Sequence, residues 1–324
     1  MLRRKVARRT LRAKLFSASA ALLGLLPTRA TTGLLRVPAF LASRGRPGKL
    51  VVQNLELAFG SDWTREQHHE CARGVCRHTT RLISEVTLLS RASDKRRLTW
   101  FQRNVKVDDS IEHLHSALQL GRGAILATAH VGNWELIPPA LVQLGIQGAV
   151  VGRFRENDPA ANWIVDMRAR VGVTTFPQDS DPKDLLRLLR KGQVLGLVCD
   201  LEVKRLDGEF LPFFGTPALT MTAPAALTRT SRAPIVPVRC VRTAEDPERY
   251  TIMFEPALRW DSTLPKPEAK TRILQDLNDV YEQWIRATPE QWAWYQPRWR
   301  AQPGNHEPMP LKERNRRSKD SGPE

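Results

Sequence analysis

The chain predicts an α/β fold: a mostly parallel central sheet flanked by helices, with an N-terminal membrane-associating helical segment. Three observations lead there. Continuous apolar runs such as "AILATA" (124–129) and "QVLGLVCD" (193–200) have the texture of strands covered on both faces of a parallel sheet. Helix-period segments alternate with these runs, as strand–helix units require. Ahead of both comes a basic and then apolar amino terminus.

That terminus opens "MLRRKVARRTLRAK", seven basic residues without an acid, and continues into the apolar stretch Leu15 to Leu26. A straight bilayer-crossing helix needs about 20 apolar residues, so this stretch is too short. The residues after it, "PTRATTG", offer no small-x-small cleavage site. Apolar character runs on through "TTGLLRVPAFLASRGRPG". Residues 1–48 are therefore expected to form a retained, basic, amphipathic anchor in the headgroup layer of a cytoplasmic leaflet.

Residues 50–120 are expected to be helical. In "REQHHECARGVCRHTTRLISEVTLLS", Cys71, Val75, Thr79, Leu82, Ile83 and Val86 recur at three- and four-residue spacing. "DDSIEHLHSALQLGRG" adds a helix with an aspartate cap and a glycine stop. Beyond it, "AILATA" is the first strand and a helix kinked or started by Pro138-Pro139 runs to Gly145. "QGAVVG" is the second strand, "DPAANWIVDMRARVG" the next helix and "VTTF" a short third strand. In "DSDPKDLLRLLRKG" a Ser180 or Asp181 cap, Pro182 in the first turn and Gly192 as the stop all mark one helix. "QVLGLVCD", "APIVPVRCV" and "YTIMFEP" are later strands, and "RILQDLNDVYEQWIRATPE" a late amphipathic helix. Residues 49–300 are thus expected to form one α/β domain and 301–324 a disordered polar tail.

Composition narrows the function. Fifty Lys and Arg against 34 Asp and Glu leave a net charge of +16, which predicts an acidic partner. No helix-turn-helix, aromatic–basic strand motif or zinc finger is present, so nucleic acid is not the expected partner. "HHECARGVCRH" gathers three histidines and two cysteines, but on a helix they spread around several faces, and no metal is expected. The four cysteines form no C-x-x-C pair and suggest structural thiols.

Ligands of open α/β sheets bind outside the carboxyl ends of the strands. His130, the arginines of "VVGRFREN" and Asp200 all fall there. A continuous helix would rotate His130 and Glu135 about 140° apart. The Gly132-Asn133 turn lets the chain fold back, so that Glu135 accepts a hydrogen bond from one imidazole nitrogen and the other abstracts a proton.

"HVGNWE" resembles the histidine, four residues, acid signature of the glycerolipid acyltransferases, and in particular the bacterial lipid A biosynthesis acyltransferases. The resemblance extends in family order through "VVQNLELAFG", "GRFRENDPAANWIVDMRARVG", "GLVCD" with "GEFLPFFGTPALT", and "PEQWAWYQPRWR", from about residue 15 to 300. It implies that His130 is the general base and Glu135 its orienting partner. An acceptor hydroxyl would then attack an acyl thioester directly, without an acyl-enzyme and without a cofactor. This agrees with the absence of a G-x-S-x-G elbow. Arg168, or its neighbour Arg170, matches the family's arginine of the second block, and Asp200 the aspartate ending the following strand. Arg153, Arg155 and Arg168 suit phosphates of a headgroup or carrier, because guanidinium forks match phosphate oxygens. Asp200 would either contact substrate or hold an arginine in place.

The implied donor is acyl carrier protein or acyl-CoA and the implied acceptor a lipid A precursor, at the cytoplasmic face of the bacterial inner membrane. A phosphatidylinositol mannoside, a lysophospholipid or an amino-acid lipid would be served by the same chemistry. Phe210, Phe213 and Phe214 read as an aromatic loop lining an acyl groove or, for two of the three, as core. Trp284, Trp292, Trp294 and Trp299, interleaved with Arg298 and Arg300, read as a membrane-interface cluster.

Overall fold

Among the described residues, seven strands form the central sheet, in the order β1 (Val105–Val107), β9 (Tyr250–Phe254), β8 (Ile235–Arg242), β2 (Ala124–Thr128), β5 (Val194–Val198), β3 (Gly148–Gly152) and β4 (Thr174–Pro177). The computed structural model describes residues 26, 28–152, 159–202, 207–246 and 248–304. The strands β2 (Ala124–Thr128), β3 (Gly148–Gly152), β4 (Thr174–Pro177) and β5 (Val194–Val198) run parallel, as does β8 (Ile235–Arg242) beside β2. On the far side, β9 (Tyr250–Phe254) is antiparallel to β8, and the short β1 (Val105–Val107) pairs parallel with β9. The expectation of a mostly parallel sheet is met, with one antiparallel step.

Alternation along the strands builds two cores. Ile125, Ala127, Leu195, Leu197 and Ile235 face one apolar cluster. Their neighbours Ala124, Leu126, Val194, Val236 and Val238 face the other. Successive side chains of a strand point to opposite faces, so a sheet covered on both sides needs unbroken apolar runs, and that is why all five residues of β2 are buried.

The first cluster is covered by α2 (Arg46–Phe59), α9 (Ala223–Ser231) and α10 (Lys266–Ala287), through Val51, Leu55, Leu227, Ile273, Leu277 and Trp284. The second lies under α3 (Arg65–Arg91), α4 (Asp94–Asn104), α5 (Glu112–Leu118), α6 (Ile137–Gln143) and α7 (Pro159–Ala169), through Leu82, Phe101, Leu114, Leu141 and Met167. Helix starts follow local chemistry. Thr64 and Gln67 form a reciprocal capping box at α3. Asp181 caps α8 (Pro182–Arg190) through the Lys183 amide at 2.8 Å, and Gly192 takes the left-handed turn after it.

Three local readings are revised. "GEFLPFFGTPALT" is a hairpin of β6 (Gly208–Phe213) and β7 (Thr216–Met221) rather than a loop, while the core alternative holds for two of its phenylalanines, Phe213 and Phe214, which are buried. The four tryptophans are core: all are buried, and Trp292 and Trp294 pack edge-to-face at 4.6 Å. β1 interrupts the region expected to be wholly helical, because three residues suffice to extend the sheet edge. Of the amino-terminal anchor, residues 1–25 and 27 lie outside the described residues. Helix α1 (Thr28–Arg44) exposes Leu34 and Val37 beside Arg36 and packs on α3, where Thr32 Oγ1 donates to Ser84 Oγ at 3.1 Å. No helix among the described residues is long and apolar enough to cross a membrane.

Candidate active site

Register brings the site together. β2 and β5 are hydrogen-bonded neighbours, and Thr128 is paired with Val198. Two residues further on, His130 therefore faces Asp200 across the carboxyl ends of the two strands. The His130 amide donates to Asp200 Oδ2 at 2.9 Å, and Nδ1 lies 2.7 Å from Oδ1. Ionised carboxylates only accept, so Nδ1 carries the proton and Nε2 keeps its lone pair. The imidazole side chain is 25% exposed and Asp200 wholly buried.

Trp292 Nε1 completes the carboxylate's shell, donating to Oδ2 at 2.7 Å. Burial alone would push the Asp200 carboxyl up. The His130 charge and the three donors more than offset it and hold the group below the ordinary carboxylate range. The backbone of the same C-terminal segment clamps the turn: Gly132 N donates to Gln291 O at 2.9 Å, and Ala293 N to His130 O at 3.1 Å.

The pairing expected for Glu135 is corrected. Its carboxylate does not bond His130. It accepts Arg168 Nε at 2.9 Å and Nη2 at 2.6 Å, together with Trp134 Nε1 at 3.1 Å. The Trp134 ring meets the His130 ring edge-on, with centroids 4.6 Å apart. The turn does fold back as expected, but a short helical turn (Trp134–Leu136) follows it and aims Glu135 at α7. The fork of Arg168, read as a phosphate grip, is thereby engaged by a carboxylate. Burial lowers the Arg168 pKa, and the attraction of Glu135 overcomes this and leaves it raised. Arg153 and Arg155 lie outside the described residues. Asp200, expected to contact substrate or an arginine, instead orients the histidine.

Trp134, whose ring meets His130, also lines a narrow apolar cavity of about 60 Å³ that runs past Thr128, Leu141, Val150 and Leu197. A second cavity, of about 330 Å³, lies among Leu89, Leu98, Phe101, Pro139 and Met167. Glu135 and Arg168 line both, so the ion pair stands in the wall between them. Cys199, beside Asp200, is strand core, its thiol pushed far up by burial. Trp292 was missed as a site residue. Its signal was its position in a Trp-rich segment far from the other motifs, which gives no hint of a carboxylate partner.

Relatives of known name cluster around one chemistry. The chain is 29% identical to a phosphatidylinositol mannoside acyltransferase of Mycobacterium tuberculosis over 200 residues, 60% of each chain. It is 27% identical to the lipid A biosynthesis lauroyltransferase of Escherichia coli K12 over 195 residues, 60% of this chain and 61% of the relative. It is 22% identical to that organism's lipid A biosynthesis palmitoleoyltransferase over 253 residues, 78% of each. The match thus spans about three fifths of the first two relatives. With the family model matched from residue 3 to residue 301, the chain belongs to the bacterial lipid A biosynthesis acyltransferase family.

Proposed function

We propose that the chain is an O-acyltransferase that moves a fatty acyl group from a thioester donor, acyl carrier protein or acyl-CoA, to a hydroxyl of a lipid A precursor. The observation that carries this reading is the His130–Asp200 contact at the rim of the sheet. His130 Nε2 takes the hydroxyl proton as the oxygen attacks the thioester carbonyl. Asp200 stabilises the imidazolium so formed. Collapse of the tetrahedral intermediate breaks the C–S bond, and the imidazolium returns its proton to the departing thiolate. The reaction balances as ester plus thiol and needs no cofactor.

Other features support the setting. The largely apolar cavities on either side of the Glu135–Arg168 pair suit a hydrocarbon chain. The exposed Leu34 and Val37 of α1, with the basic surplus, suit peripheral seating on an anionic leaflet, the cytoplasmic face of the inner membrane. The same positive field favours an acidic carrier protein. Glu135 and Arg168 shape the acyl site rather than carry the proton.

The test is acyl transfer by the purified protein from radiolabelled acyl donor to a lipid A precursor, with His130→Ala beside it. Ester formation lost in the variant supports the reading; equal activity in both overturns it. Phosphatidylinositol mannoside is the second acceptor to offer, because the M. tuberculosis relative acts on it by name. Transfer to that lipid alone would keep the chemistry and change the acceptor.

A further inference from the structure

Beneath the turn that follows His130 lies a buried polar cluster that the acyl-transfer step does not use. His78 and Glu85 come from α3, Arg242 from the end of β8 and Tyr250 from the start of β9, and all four are buried. Glu85 accepts from both terminal nitrogens of Arg242, at 2.8 and 3.0 Å, and from the Tyr250 hydroxyl. It also accepts from Asn133 Nδ2 at 3.2 Å. Arg242 Nε lies 3.2 Å from His78 Nδ1. A guanidinium only donates, so Nδ1 accepts and the ring proton sits on Nε2, which donates to the Gly132 carbonyl at 3.1 Å. Burial, and then the Arg242 charge, push the His78 pKa down to about 3, in keeping with a neutral ring.

Two arms of the cluster therefore end on consecutive residues of one turn, His78 on Gly132 and Glu85 on Asn133. The strand holds the same turn from below: Asn133 N donates to Cys240 O at 2.8 Å. Stability alone does not call for such a cluster. Removing two charges from water is costly, and apolar side chains of like volume are often as stable or more so. An apolar filling would leave the Gly132 carbonyl and the Asn133 amide free to reorient. Directional bonds do not.

We propose that Glu85 and Arg242, with His78, are positioning residues of the acyl-transfer site. They hold the Gly132–Asn133 turn so that His130 keeps its alignment on Asp200 and toward the acceptor hydroxyl. This rests on reading His130 as the base.

Three variants of the full chain test it. Glu85→Gln keeps the shape and removes the charge. Asn133→Leu removes one arm while keeping the size. Tyr250→Phe deletes a donor to Glu85 that does not reach the turn. Glu85→Gln and Asn133→Leu are expected to lower kcat by about ten- to a hundredfold, with KM within about twofold. Both also move the imidazole N–H resonance of substrate-free His130. Tyr250→Phe keeps kcat within about threefold and leaves that resonance in place. The Glu85→Gln/Asn133→Leu pair is no slower than its slower single variant, since both act through one bond.

A lowered melting temperature with unchanged kcat and resonance in Glu85→Gln and Asn133→Leu overturns the proposal and leaves a structural cluster only. Should Glu85→Gln not fold, Asn133→Leu decides by itself. Undiminished acyl transfer by His130→Ala would instead remove the functional reading, while the resonance comparison still judges the positioning claim.

Discussion

Asp200 Oδ1 stands 2.7 Å from His130 Nδ1, with the carboxylate wholly enclosed and the ring reaching solvent. The pair is supplied by adjacent parallel strands whose register is set by the sheet, so its geometry is as rigid as the core beneath it. A dyad on strand ends needs no induced alignment before it accepts a proton.

Asp200→Asn should preserve the fold and the hydrogen-bonding shape while removing the charge that favours the imidazolium. An amide in this place also leaves the ring free to adopt the other tautomer. Loss of about 10³- to 10⁴-fold in kcat is expected, with KM little changed. Steady-state kinetics with a saturating acyl donor reads it. Activity within tenfold of the native chain would show that Asp200 does not serve His130.

The buried Glu135 and the largely enclosed Arg168 form a bidentate pair in the wall between the two cavities. Glu135→Ala leaves a largely enclosed guanidinium without its anion and should destabilise by about 3 kcal/mol. Glu135→Leu combined with Arg168→Met should recover much of that loss. Urea unfolding of the single and double variants measures both. An Arg168→Met single variant as stable as the native chain would show that the pair contributes no net stability.

Gly132 has φ +64°, and a Cβ there would lie 1.9 Å from the Cys240 carbonyl oxygen. Both the backbone conformation and the space demand glycine. Gly132→Ala should cost more than about 4 kcal/mol, in the range reserved for severe local disruption. The expected result is insoluble or unfolded protein, judged by circular dichroism, whereas Gly121→Ala (φ +68°, open space around it) stays folded.

Acid stability should report His78. Burial and Arg242 depress its pKa from 6.5 to about 3, so the folded state keeps the ring neutral while the unfolded chain protonates it first. The contribution is whole above pH 6.5 and is lost progressively as pH falls toward 3. Melting temperatures across that window should decline for the native chain and decline less steeply for His78→Gln. Parallel slopes would show that another group governs acid unfolding.

The strands of the parallel sheet were legible because burial on both faces demands continuous apolar runs, and β2, β5 and β8 show them. The helix of Pro182 was legible because cap, proline and glycine all act locally. The tryptophan segment was misread for a physical reason. Aromatics interleaved with arginines mark a membrane interface or an aromatic core equally well. Here Arg298 is itself buried, donating to Leu219 O at 2.7 Å and lying over the Phe213 ring. Glu135 was near His130 in sequence, and that nearness suggested a contact that the helical turn after Asn133 does not allow.

By itself the amino-acid order determined the α/β class, the placing of His130 and Asp200 at strand ends and the family signature around "HVGNWE". Each is a local pattern of polarity, turn chemistry or residue identity, readable over a few neighbours. Only the tertiary structure decided which carboxylate serves the imidazole. β3 and β4 follow β2 along the chain, yet β5 sits beside it in the sheet, so residues 70 apart in sequence meet while residues five apart do not. Strand order depends on how whole helices cover both faces, and no short window of sequence contains that information.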